Sequence, residues 1–216
     1  MEFVDIMVNR KINILCIQET KWVGEKAKEI DSLGFKLWYS GRSRTRNGVG
    51  VIIDKSLKDN VVEIKRIDDS IIALKIVVDT KIINVISVYA PQVGLNICSK
   101  KKFWNDLEGL IQMIPLEEKI FIGGDLNGHV GRVVEDFKNI HGGYEFGVTN
   151  EEGRTILDFA LAYDFAIANT LFKKREEHII TYKNGSISLF NLKRMVGGMM
   201  TCPIKIPWFY LEVQVS

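Results

Sequence analysis

Several apolar runs in this sequence stop at residues able to do chemistry. "INILCIQE" ends at Glu19, "SVYAP" presents Tyr89 ahead of Pro91, "KIFIGGDLN" ends at Asp125 and Asn127, and "HIITYK" carries Thr181 late in its course. A carboxylate at the end of a buried strand costs desolvation free energy unless it meets a cation or hydrogen-bond donors. Two such carboxylates brought together repel unless a metal lies between them. Oxygen donors of this kind suit Mg²⁺ or Mn²⁺, which take few protein carboxylates and complete their shells with water and phosphate oxygens. In an extended "DLN" the spacing of two puts Asp125 and Asn127 on one side of the chain. The carboxylate can then orient an attacking water while the amide holds a phosphate oxygen. Tyr89 can donate a hydrogen bond to charge developing on phosphorus. The same residues also admit a structural reading, with Glu19 a wet strand end, Tyr89 a core-edge residue and Asp125–Asn127 a turn.

The elements that must position them are legible as periodic runs. Phe3, Val4, Met7 and Val8 have helical spacing, and Ile12–Glu19 reads as a fully buried strand. "KAKEIDSLG" reads as a short helix closed by Gly34, followed by a strand in "FKLWYSG". The basic turn "RSRTRNG" (Arg42, Arg44, Arg46) precedes "VGVIID", "VVEIKRI", "SIIALKIVV" and "KIINVISVYAP", four strands separated by short polar turns that suit antiparallel pairing. Residues 99–114 and "NEEGRTILDFALAYD" are amphipathic helices on either side of the strand "KIFIGGD", and "FAIANT" and "HIITYK" complete the strands. Many strands with few helices argue for an α+β class, two sheets packed together with helices outside.

The chain has 216 residues, 46% apolar and 26% charged, which predicts one domain with a sizeable core. A net charge of +2 excludes an argument for nucleic acid or membrane from charge alone. Local basic clusters remain: Arg42 to Arg46, Lys100 to Lys102 and Lys173 to Arg175. Cys16, Cys98 and Cys202 lack metal-ligand spacing, and so sparse a set suits a reducing compartment. The first residues show no signal peptide and no apolar run reaches the ~18 residues of a membrane span. The expectation is an intracellular protein, nuclear or cytoplasmic, with no membrane and no obligate protein partner.

"IQET", "SVYAP" and "GGDLN", in this order and at these separations, resemble the endonuclease/exonuclease/phosphatase superfamily, the DNase I-like fold. "RKINILCIQETKW", "GVGVIID", "NEEGRTILDFALAYDFAIANT" and "HIITYKNG" bring the resemblance closer to the endonuclease domains of RTE-type non-LTR retrotransposons. The resemblance implies a two-sheet β-sandwich in four layers, α/β/β/α, and Mg²⁺- or Mn²⁺-dependent nicking of DNA. It further implies that Glu19 is the metal-binding Glu and that Tyr89 contacts the scissile phosphate. Asp125 would then orient the nucleophilic water, Asn127 would hold phosphate, and Thr181 would touch substrate. Arg42, Arg44 and Arg46 are candidates for DNA phosphates, against a solvated turn as the alternative.

The pattern also departs from that family. Its opening strand with a Trp-Asn pair is not found, so the domain is expected to span 1–186 without its first strand, with a divergent tail at 187–216. No Asp follows Asp164 and no His follows His178, where the family carries an Asp and then an Asp-His pair. His129, His141 (in the loop "NIHGGYEFG", expected to be flexible) and His178 are read as surface or hydrogen-bonding residues rather than replacements. Catalytic groups that act as a unit cannot be removed without losing most of the rate. Three functions stand at this point: a weakened or inactive nuclease, a non-catalytic module binding nucleic acid or a protein, and a degraded gene product.

Overall fold

The computed structural model describes residues 2–30, 33–132, 135–145, 147–171, 186–191 and 209–210. Helix α1 (Glu2–Arg10) leads into β1 (Ile14–Gln18), β2 (Gly24–Glu29), β3 (Lys36–Gly41) and β4 (Val49–Ile53). Strands β5 (Val61–Ile67), β6 (Ile71–Val78) and β7 (Lys81–Tyr89) follow, then α2 (Ile97–Gln112), β8 (Lys119–Asp125), α3 (Glu151–Ala162) and β9 (Phe165–Ile167). Strands β10 (Ser186–Asn191) and β11 (Phe209–Tyr210) complete the order. One sheet runs β11-β1-β4-β3-β2 and the other β5-β6-β7-β8-β10-β9.

Three apolar layers hold the elements together. Between the sheets, Ile14, Cys16, Trp38, Val49, Val51 and Ile53 meet Ile72, Leu74, Ile76, Ile83, Val85 and Tyr89. The alternate residues of β1, Leu15 and Ile17, face the other way, where Val4 and Met7 of α1 cover them. On the far side of the second sheet, α2 and α3 bring Phe103, Leu107, Leu110, Ile156 and Leu157 onto Ile71, Ile86, Val88 and Ile122. This is the expected order α/β/β/α, and it explains why β1 and β4 are buried at every position: both faces are covered.

Local capping fits the sequence. Asn96 accepts the Ser99 N–H at 2.8 Å and starts α2, and Asn150 accepts the Gly153 N–H at 2.8 Å and starts α3. Strands β7 and β8 pair in parallel, with Tyr89 opposite Asp125. The α2 crossover makes that parallel pairing possible.

One expectation is corrected. Within "KAKEIDSLG" the residues Lys26–Glu29 are not helical: Gly24–Glu29 is an edge strand paired antiparallel with β3 from Gly24↔Gly41 to Glu29↔Lys36. Its Lys, Glu and Ala are good helix formers, but five backbone pairings beyond the first override a weak local preference. The boundary at 186/187 falls at the start of β10, which lies between β8 and β9 with Ile187 opposite Gly124 and Leu189 opposite Ile167. The second sheet therefore extends past residue 186. The "HIITYK" strand lies outside the described residues.

Candidate active site

The ends of β1, β7 and β8 carry the predicted groups to one edge of the sandwich. Glu19 follows β1 with φ 51°, so the chain turns sharply away there. Such backbone is unusual for a residue with a Cβ and is found where surrounding structure holds it. Tyr89 ends β7 and crosses the space between the sheets. Its hydroxyl donates to Glu19 Oε1 at 2.6 Å and accepts from Gln92 Nε2 at 2.9 Å. Lys21 Nζ stands 4.0 Å from the other Glu19 oxygen. Tyr89 is buried, and burial is the main cause that pushes its pKa up. The bond to Glu19 and the charges of Glu19 and Asp125 push in the same direction, while the Gln92 amide pulls back. The phenol is thus a proton-bearing donor throughout the neutral range.

Asp125 ends β8 beside Tyr89 and is 2% exposed. Its Oδ1 accepts the Asn127 N–H at 2.8 Å, and Asn127 Nδ2 donates to the Ala90 carbonyl at 2.7 Å. The turn reading is therefore true of these residues. The Asx turn gives Asn127 its φ of 51° and ties the end of β8 to the residue after Tyr89. Gly124, at φ 152°, lets these strands close: a Cβ there would lie 1.9 Å from the Val88 carbonyl oxygen.

A polar seam supports the site from below. Buried Gln18 donates through Nε2 to Ser87 Oγ at 3.2 Å, joining β1 to β7 one residue before Glu19 and two before Tyr89. Among the described residues, Gln18 Oε1 and Thr20 Oγ1 are buried without a hydrogen-bond partner. Gln18, Ser87 and Gln92 were missed in the sequence. The only signal for them was adjacency to Glu19 and Tyr89.

The basic turn lies at the same end. Thr20 N–H donates to the Gly48 carbonyl and Lys21 N–H to that of Asn47, at 3.2 and 3.1 Å. Arg42, Arg44 and Arg46 are exposed, and Arg42 pairs with Asp68 at 3.0 Å. Thr181 and His178 lie outside the described residues. His129 is exposed, its backbone N–H bound to Asn150. His141 is a hydrogen-bonding residue and not a surface one. It is 2% exposed, its Nδ1 accepts the Gly143 N–H at 3.0 Å, and burial pushes its pKa down.

Among the described residues no three His, Cys, Asp or Glu groups converge as a metal cage. Glu19 is the residue that would hold a divalent cation, and a single carboxylate suits Mg²⁺, which takes one or two carboxylates and fills its octahedron with water and substrate oxygens. A single carboxylate does not suit Zn²⁺, which wants a nearly complete protein shell.

Two facing sheets, helices outside and acidic groups gathered at strand ends define the DNase I-like fold. The chain belongs to the Endonuclease/Exonuclease/phosphatase family, whose profile matches residues 2–170. It is similar to craniofacial development protein 2 of Tragulus javanicus, 32% identical over 172 residues, and to that of Bos taurus, 31% identical. The match covers 79% of this chain in each case but only 29% and 28% of those proteins, so the chain spans less than a third of their length. Solved structures agree on the fold. A humanized D. rerio TDP2 gives a TM-score of 0.58 at 8% identity, over 91% of this chain and 76% of that one. The endonuclease domain of TRAS1, a telomere-specific non-LTR retrotransposon, gives 0.52 at 12% identity, over 88% and 78%.

Proposed function

We propose that this chain is a retrotransposon-derived, Mg²⁺- or Mn²⁺-dependent hydrolase that nicks DNA weakly. The observation that carries this reading is the Glu19–Tyr89–Asp125 cluster, which gathers two acids and a neutral phenol from three strands of two sheets. Glu19 would hold the divalent cation, whose chemistry is to neutralise charge on a bridging phosphate oxygen. Asp125 orients water, as its place beside Tyr89 allows. Tyr89, kept protonated, donates to a phosphate oxygen in exchange for its bond to Glu19, and Asn127 holds the strand end that carries Asp125. Among the described residues His129 binds Asn150 through its backbone and His141 accepts from Gly143, so neither histidine bonds the Tyr89 hydroxyl, and slow turnover is part of this reading.

Arg42, Arg44 and Arg46 contact phosphates flanking the cut. Their exposure beside a nearly closed Asp125 favours a second reading, a module that binds nucleic acid without cutting it. The sparse cysteines, with Cys16 a buried thiol and Cys98 free, suit an intracellular setting, nuclear or cytoplasmic.

Conversion of supercoiled plasmid to nicked circle tests the hydrolase. Slow nicking that requires Mg²⁺ or Mn²⁺ and vanishes in Asp125→Ala is expected. Equal background in both proteins refutes hydrolysis, and salt-dependent binding without nicking selects the binding module.

A further inference from the structure

The turn between β5 and β6 lies between the candidate active site and the basic turn. Tyr89 N–H donates to the Ser70 carbonyl at 2.9 Å, Gly48 N–H to that of Asp69 at 3.0 Å, and Ser40 Oγ to that of Asp68 at 2.7 Å. Asn47 Nδ2 adds a bond to Asp69 Oδ1 at 3.1 Å. This frame fixes Asp68, which sits at φ 61° and caps the Asp69 N–H with its own Oδ1 at 2.9 Å.

Two cations from separate elements converge on the Asp68 carboxylate. Arg42 Nε, from the basic turn, lies 3.0 Å from Oδ1, and Lys102 Nζ, from α2, lies 3.4 Å from Oδ2. Lys102 is also anchored on its own helix by Asp106 at 2.5 Å, so it keeps its place if Asp68 lets go. The Arg42 and Lys102 side chains are 71% and 59% exposed, whereas that of Asp68 is 25% exposed. The acid is the tethered partner and the cations face solvent. Carboxylate and phosphate oxygens make the same charge-assisted bonds to guanidinium and ammonium groups.

We infer that Arg42 and Lys102 form a nucleic-acid phosphate subsite beside the active site, and that Asp68 occupies it as an internal competitor. The inference rests on the reading that nucleic acid is the ligand of this edge. A backbone phosphate takes the two cations from Asp68, so the protein binds DNA more weakly than its basic residues would otherwise allow. Asp68 thereby sets affinity without touching the reacting atoms.

The test is binding of a short fluorescent DNA duplex to the full chain in EDTA, where hydrolysis cannot contribute. Asn tolerates positive φ, so Asp68→Asn preserves the turn. It should tighten binding by about threefold or more and steepen the log Kd against log salt slope by about one. Adding Arg42→Gln and Lys102→Gln should cancel the gain. Asp158→Asn, which changes net charge equally on α3, should not tighten binding. Unchanged affinity in Asp68→Asn, absence of binding in both proteins, or equal tightening by Asp158→Asn would overturn the inference. Nicking by the native chain with an unchanged Asp68→Asn affinity sinks this inference alone. Tighter binding without any nicking supports it and sinks only hydrolysis.

Discussion

Removing the Tyr89 hydroxyl tests the centre of the candidate site without requiring any activity. Tyr89→Phe deletes an O–H···O⁻ bond of 2.6 Å to Glu19 and leaves the ring in its apolar layer. Hydrogen bonds to charged groups contribute about 1.5–3 kcal/mol. The Glu19 side chain is 24% exposed and regains water when the phenol is gone, which argues for the low end of that range. Exposed Gln92 turns to solvent at little cost. The expected loss is about 1.5 kcal/mol, a urea midpoint lowered by about 0.6 M at an m-value near 2.5 kcal/mol/M. Combining Tyr89→Phe with Glu19→Ala closes a double-mutant cycle in which the backbone strain of Ala at φ 51° cancels. A coupling of about 1 kcal/mol is expected. The alkaline limb gives an independent reading: folding raises the Tyr89 pKa above its ordinary 10.0, so the folded state binds more protons than the unfolded chain above that pH. Stability present below about pH 10 is therefore lost as pH rises further, and Tyr89→Phe should flatten that decline. A coupling within about 0.3 kcal/mol of zero, with an unchanged alkaline limb, would show that the two side chains do not meet.

Two further outcomes follow from buried charge. Glu118 is 7% exposed, with Lys75 Nζ at 2.9 Å and Asn84 Nδ2 at 2.8 Å, so Glu118→Ala removes both bonds, while Lys75 keeps Glu63 at 3.7 Å. The expected cost is about 2 kcal/mol by urea unfolding; a loss below about 0.5 kcal/mol would contradict the pairing. For His141, the depressed folded pKa means the unfolded chain binds more protons below the ordinary value of 6.5. Stability present above that pH should fall as the solution is acidified, and His141→Gln should show a shallower drop in Tm between neutral and acidic buffer.

Most strands were legible because burial on both faces imposed apolar runs with polar ends, as in Ile14–Gln18 and Lys119–Asp125. The same pattern located Glu19, Tyr89 and Asp125, since a polar residue closing such a run contradicts its surroundings. β2 was illegible for the opposite reason. Five of its six residues are exposed, so no apolar alternation marks it, and its Lys and Glu serve to blunt an open sheet edge. Gln18 and Ser87 were hidden because their partners are 69 residues apart in sequence and adjacent only across the sandwich. The burial of His141 was equally hidden, since glycines beside it read as loop.

Glu19 directly follows a strand of one sheet, while Tyr89 and Asp125 end strands of the other. The site is thus a gauge of alignment between two layers whose shared core is apolar and whose polar links, such as Gln18 to Ser87, are few; apolar side chains tolerate sliding far better than a 2.6 Å bond does. A slip of one sheet by a single residue, roughly 3.3 Å along the strands, would separate phenol from carboxylate while leaving most of the apolar contact intact. Any ligand that engages Glu19 and Asp125 together acts as a rivet across that plane. It would resist shear between the sheets, and that mechanical stiffening would be felt at every strand joined to β1, β7 and β8.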